Sequence, residues 1–114
     1  MATLENMINR TRITVSESKQ DASLLDVKIL IAHVMENGYR LNDDSQRIPA
    51  HIITDLSVSL NSAVVFSLSI STGIAANPIF MFPIKKPERP SKLAVAWIDD
   101  LGEKGFATKE IFIQ

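Results

Sequence analysis

Cysteine is missing from this 114-residue chain altogether. Its absence removes disulfides, thiolate nucleophiles and cysteine–zinc sites together. Glycine is scarce, with four residues in all, so no Gly-rich phosphate cradle can form. No apolar run approaches the ~20 residues that a membrane-spanning helix needs. Neither sign of charge dominates, since 12 Lys and Arg scattered against 13 Asp and Glu give a net charge of −1. That balance points to neither nucleic acid nor an anionic membrane as a partner. Histidine occurs only twice, which limits the acid–base or metal chemistry available.

What the chain does have is alternation. At 46% hydrophobic and 22% charged residues it reads as one soluble globular domain. A chain of this size buries roughly two-thirds of its unfolded surface, enough for a core without covalent staples. Residues 1–9 read as an N-terminal tail ahead of a single domain over residues 10–114. The tail lacks the apolar core of a signal peptide, which taken alone predicts a cytoplasmic protein.

The period-2 pattern predicts about seven strands. The first spans residues 10–16, with Ile13 and Val15 inward. The second spans 24–32, with Val27, Ile29 and Ile31 on one face and Asp26, Lys28 and Leu30 on the other. The third spans 51–61, with Ile52, Leu56, Val58 and Leu60 sharing a face with Thr54. Asn61-Ser62 then predicts a two-residue hairpin turn, because Asn tolerates the positive φ such turns require. The fourth strand, 63–71, repeats the pattern through Val64, Phe66, Leu68 and Ile70. The serines Ser57, Ser59, Ser67, Ser69 and Ser71 alternate with these apolar residues, as on the solvent face of a sheet.

Gly73 and Pro78 punctuate a crossing loop. The fifth strand, 79–84, places Phe80, Phe82 and Ile84 on one face. Pro83 cannot donate to a ladder, so this strand belongs at an edge or ends there. The sixth, 93–99, turns Leu93, Val95 and Trp97 inward. Asp99 to Gly105 reads as a turn, and 106–113 as the last strand. There Ile111 and Ile113 oppose Phe106 and Phe112, which raises the expectation of a bulge. The sum is an all-β, immunoglobulin-like antiparallel sandwich, without the Cys–Cys staple of antibody domains.

The long break after strand two is the place for function, because recognition residues gather on loops held by a rigid sandwich. His33 and His51 flank it and are candidates for a metal or proton site with Glu36 or Asp55. A metal enzyme built that way needs three or four placed ligands, so the two histidines read first as loop ends bonded to backbone. Glu36 and Asp43 are the carboxylates nearest both histidines in sequence, and the strand serines lack the strained turn of a nucleophile. No catalytic residue, cofactor or metal is therefore assigned, and the chain is not read as an enzyme. Met35, Glu36, Asn37, Gly38, Tyr39 and Arg40 have the composition of a protein contact surface. Met35 tucked into the sandwich end, capped by Tyr39, is the plain alternative. Asn77-Pro78 reads as a turn, with a place in the same surface as its functional alternative.

Four short segments in order carry a resemblance. His33-Val-Met-Glu-Asn-Gly-Tyr-Arg40 looks like the HPMETGxR signature of SoxZ, the smaller subunit of the thiosulfate carrier SoxYZ. Ile48-Pro-Ala-His-Ile-Ile53, Ala76-Asn-Pro78 and Ala96-Trp-Ile-Asp-Asp-Leu-Gly102 are similar to that family's IPAHFI, SKNP and WxDNxG segments. Val34 stands where the family has Pro, Asn37 where it has Thr, and Asp100 where it has Asn. The resemblance implies a non-catalytic subunit forming a heterodimer with a SoxY-like protein. That partner bears sulfur intermediates on a Gly-flanked C-terminal cysteine and visits other Sox enzymes. It also implies a periplasmic location, reached by co-export with the partner. The interface then expected comprises Met35, Glu36, Asn37, Gly38, Tyr39, Arg40, His51, Asn77 and Pro78. A generic immunoglobulin-like binding module or homodimer unrelated to sulfur is the rival reading.

Overall fold

The computed structural model describes residues 10–71 and 73–112; the expected tail, Thr72 and Ile113 lie outside them. Seven strands follow one another: β1 (Thr11–Glu17), β2 (Leu24–Ile31), β3 (Ile53–Leu60), β4 (Ala63–Ser69), β5 (Ile79–Lys85), β6 (Ser91–Asp99) and β7 (Lys104–Ile111). They form two antiparallel sheets, ordered β1-β2-β5 and β4-β3-β6-β7. No helix occurs among the described residues. This is the expected sandwich, with β4 kept beside β3 by their hairpin rather than crossing to β5.

The alternating apolar residues meet between the sheets. Ile29, Ile31, Val58, Leu93 and Val95 are all fully enclosed. Burying each such side chain contributes about 1.5–3 kcal/mol against the entropy of ordering the chain. The hairpin turn is as expected: Leu60 pairs with Ala63, and Asn61 and Ser62 hold φ of 50° and 74°. Two consecutive left-handed residues are the signature of the turn whose twist suits a hairpin. Pro83 lies in β5, which is an edge strand.

Three facings are ones that alternation alone leaves open or gets wrong. The β3–β6 ladder slips between Ile53 and Asp55, so Ile53 is buried with Leu56 in addition to Ile52, which lies in the core as expected. An extra residue resets the alternation, and sequence parity does not register it. The β3–β4 ladder slips again between Val58 and Ser59, which turns Val64 outward at 64% exposure. The bulge expected in the last strand is not there. Instead β7 pairs with β6 without a break, Ile111 faces in, and Phe106 faces solvent.

Gly105 has a packing reason. It sits opposite Trp97 in the β6–β7 ladder, and a Cβ there would fall 2.0 Å from the indole Nε1. The ring therefore lies directly on the glycine backbone.

Candidate functional site

At one end of the sandwich the loop after β2, the start of β3 and the end of β6 converge on Asp99. Asp99 closes β6 in phase with Leu93, Val95 and Trp97, so the alternation that builds the core also drives its carboxylate inward. Its side chain is completely buried. Oδ2 accepts Nε2–H bonds from His33 at 3.0 Å and His51 at 2.8 Å. Oδ1 accepts the backbone N–H groups of Leu101 at 3.1 Å and Glu103 at 2.8 Å. Burial pushes the Asp99 carboxyl up, but the two imidazoles and the two amides together hold it below the ordinary carboxylate value.

His33 is buried and used on both sides of its ring. Nδ1 accepts the Met35 N–H at 3.1 Å, which requires the proton to sit on Nε2, facing Asp99. The ring stands edge-on to His51, with centroids 4.6 Å apart, and perpendicular to Trp97 at 5.6 Å. Trp97 in turn donates Nε1–H to the Thr11 hydroxyl at 2.8 Å. The Arg10 guanidinium lies over the indole at 5.2 Å and binds Glu103 at 3.0 Å.

Backbone bonds lock the same place. Asn77 brackets His33, donating N–H to its carbonyl at 2.8 Å and accepting its N–H on Oδ1 at 3.2 Å. Glu36 and His51 exchange both main-chain bonds at 2.8 Å, so the loop's two ends are zipped together. Asp100 clips Ile52 through its own N–H and its carboxylate.

His33, His51 and Asp99 bring three donor atoms within 4.8 Å of one another, a spacing open to a metal ion. The hydrogen bonding opposes that use. A metal-bound imidazole offers a bare nitrogen to the ion and directs its other N–H at an acceptor. In His33 the other nitrogen faces the Met35 N–H, a donor. Binding through Nε2 would set two donors against each other, and Asp99 Oδ2 would surrender its bonds to both imidazoles. The cluster is a hydrogen-bond node joining three chain segments.

The residues proposed as a contact surface divide. Met35 is buried, at φ 49°, with its sulfur 3.3 Å from the Ile53 nitrogen. Tyr39 is 67% exposed, under the Arg47 guanidinium at 5.8 Å. Glu36 pairs with Arg40 at 2.6 Å, which lowers the Glu36 carboxyl and raises the Arg40 guanidinium through that hydrogen bond. Asn37 Oδ1 caps the Tyr39 N–H at 2.8 Å, and Gly38, at φ 87°, lies against Ala50. His51 and Asn77 face the node, and the Pro78 carbonyl accepts from Ile31 at 3.1 Å. Glu36, Asn37, Gly38, Tyr39 and Arg40 remain on a presented loop, and Asn77 stays exposed while its N–H and Oδ1 hold His33.

Glu36 and Asp55, considered as partners for the histidines, do not join them: Glu36 turns to Arg40 and Asp55 to Ser69. Asp43 is exposed in the loop. Asp99 takes the place considered for them. Its position in phase with Trp97 was the available signal, obscured because an Asp-Asp pair before Leu-Gly also reads as a turn.

The fold is shared with solved proteins of low sequence similarity. A superoxide reductase (neelaredoxin) from Ignicoccus hospitalis superposes with a TM-score of 0.64 at 14% identity, over 91% of this chain and 80% of that one. A variant of the same Ignicoccus hospitalis protein gives 0.65 at 16%, over 91% and 79%. A hypothetical protein from Pyrococcus horikoshii gives 0.54 at 12%, over 91% and 85%. These likenesses are of fold alone. No curated protein matches the chain. A family model described as "Sulphur oxidation protein SoxZ" matches residues 12–110, from β1 into β7, and so takes in His33, His51, Asn77 and Asp99. The chain belongs to the SoxZ family of sulphur oxidation proteins.

Proposed function

We propose that this chain is the non-catalytic subunit of a SoxYZ-type sulfur carrier, held as a heterodimer with a SoxY-like protein. The observation that carries the reading is the family match over nearly the whole chain. The chemistry of the chain agrees with it. With no cysteine of its own, the chain needs a second protein to supply a sulfur-bearing thiol. His33 is buried with both ring nitrogens engaged, Nε2 by Asp99 and Nδ1 by the Met35 N–H, so it is not free for acid–base work on a visiting substrate. The chain's part is then to hold the carrier subunit and orient its cysteine arm. The loop bearing Glu36, Asn37, Gly38, Tyr39 and Arg40 is the surface offered to the carrier or to the Sox enzymes it visits. The location implied is the periplasm, entered together with the partner.

The test is co-expression with the Gly-flanked-cysteine protein of the same genome, followed by sulfur-dependent turnover with wild-type chain and with the charge-reversed pair Glu36→Lys and Arg40→Glu. A one-to-one complex with slowed turnover in the variant is expected. A complex and turnover indifferent to the reversal would remove the loop from the reading, and failure to form any complex would remove the reading.

A further inference from the structure

Among the described residues four strands end the sheets: β1 and β5 on one, β4 and β7 on the other, with β1 and β7 lying against each other. An open edge offers unpaired backbone groups to any passing strand, and proteins guard such edges with charge or proline. β1 carries Arg12 and Glu17, and β7 carries Lys104, Lys109 and Glu110. β5 carries Lys85 and Pro83. The ladder shows how Pro83 works. Lys86 donates to the Ser23 carbonyl and Ile31 to that of Pro78, so the hydrogen-bonded pairs of β2 and β5 involve the odd residues of β2. Pro83, opposite Asp26, falls in a non-bonded pair, and its nitrogen faces the open side. It deletes an outward N–H without costing an inward one.

β4 has neither charge nor proline, only the extra residue Val65 that interrupts its ladder. Residues 56–84, which contain it, include no charged side chain, and β4 itself has no proline. Ile70 donates to the Thr54 carbonyl, so beyond the bulge Phe66 and Leu68 bond inward and Ser67 and Ser69 turn their backbone groups outward. Ala63, Val64, Val65, Ser67 and Ser69 are all exposed.

We infer that β4 is a docking edge at which an extended, uncharged segment of the partner subunit adds as a fifth strand. The inference rests on the carrier reading for the identity of that partner. The chemistry of the edge sets the chemistry of the segment: main-chain bonds supply the affinity, Val64 and Val65 take apolar neighbours, and a charge beside them would find no counter-ion, Asp55 lying at the far end against Ser69. A second copy of this chain is the poorer occupant. In a two-fold pairing about Ser67, the irregularity at Val65 in each chain meets the other's ladder, which leaves only the short stretch around Ser67 in register.

The test uses the co-expressed complex. Ser67→Pro removes an outward N–H and leaves the bonds to β3 in place, so the chain is expected to fold, with Trp97 in its native environment, and to lose the partner. Met81→Lys, on the exposed face of the guarded β5, is expected to keep it. In the wild-type complex the Ser67 and Ser69 amides are expected to exchange about tenfold or more slowly than in the free chain. If both amides exchange equally fast in a stable complex, the edge is refuted while the carrier reading stands. If the isolated chain self-associates through β4 and Ser67→Pro abolishes that, the occupant is a second copy and the inference falls. If no complex forms with the carrier subunit at all, the carrier reading falls and takes this occupant with it.

Discussion

The end of the sandwich around Asp99 and the outer face of the four-stranded sheet both carry polar side chains, and they use them in opposite ways. At the Asp99 end His33, His51, Trp97 and Thr11 are each fixed by partners at 2.8–3.0 Å, and three chain segments meet on one carboxylate. On the outer face Ser57 lies beside Ser67 and Ala96 in the ladders, small side chains on an open surface. A buried polar group stripped of its partner incurs its full desolvation cost, whereas one in water does not. The first region is therefore rigid by necessity. The second is free to be covered.

The largest test of that contrast is Asp99→Ala. It leaves two imidazole N–H groups and two backbone amides without their acceptor, and is expected to destabilise the fold by about 3–5 kcal/mol, read from the shift in urea midpoint. A cost near that of a surface mutation would mean the node is not the clamp the geometry implies.

Asp99 also predicts the acid response. Its folded pKa lies below its unfolded value of about 3.9. Folding therefore gains stability from the ionised carboxylate above that value and loses it as pH falls through the lower folded pKa. Urea unfolding followed from neutral pH to about pH 3 is expected to show this falling limb in wild type and a flatter one in Asp99→Asn. Parallel curves would assign the acid sensitivity elsewhere.

Next in size is Gly105→Ala. The added Cβ collides with the Trp97 indole, and overpacking of this kind costs about 1–3 kcal/mol, visible in thermal unfolding together with a changed Trp97 fluorescence. Ser62→Gly acts in the other direction at the opposite end of β3. It relieves a left-handed non-glycine residue in the hairpin and is expected to stabilise by about 1 kcal/mol. Smallest of all is Ser57→Ala on the open face, where the midpoint is expected to move by no more than ~0.5 kcal/mol in the isolated chain. A larger loss there would show that the serine face is already structural without any cover.

Much of this was legible in the chain. Ile13, Val27, Ile29, Val95 and Trp97 announced their facing by simple alternation, because a strand half-buried in a sandwich leaves no other choice. The Asn61-Ser62 turn was legible for a local reason, since its demand for positive φ is met by the residues themselves. Ile53 and Val64 were not legible. Their facing depends on bulges, and a bulge is decided by how two ladders fit together across strands distant in sequence. The candidate site divides in the same way. Two lone histidines flanking a long loop could be seen as neighbours, but the carboxylate that joins them lies 48 residues or more beyond either.

The sequence by itself determined the sandwich class, the strand count, the hairpin and the lack of any thiol, because each follows from residue type or short-range pattern. Only the tertiary structure decided that Asp99 serves the histidines, that Met35 is inside the clamp rather than on the loop's surface, and that β4, free of charge and proline, is an edge strand. These depend on which segments meet in space, and long-range packing and hydrogen-bond geometry settle that where local pattern cannot.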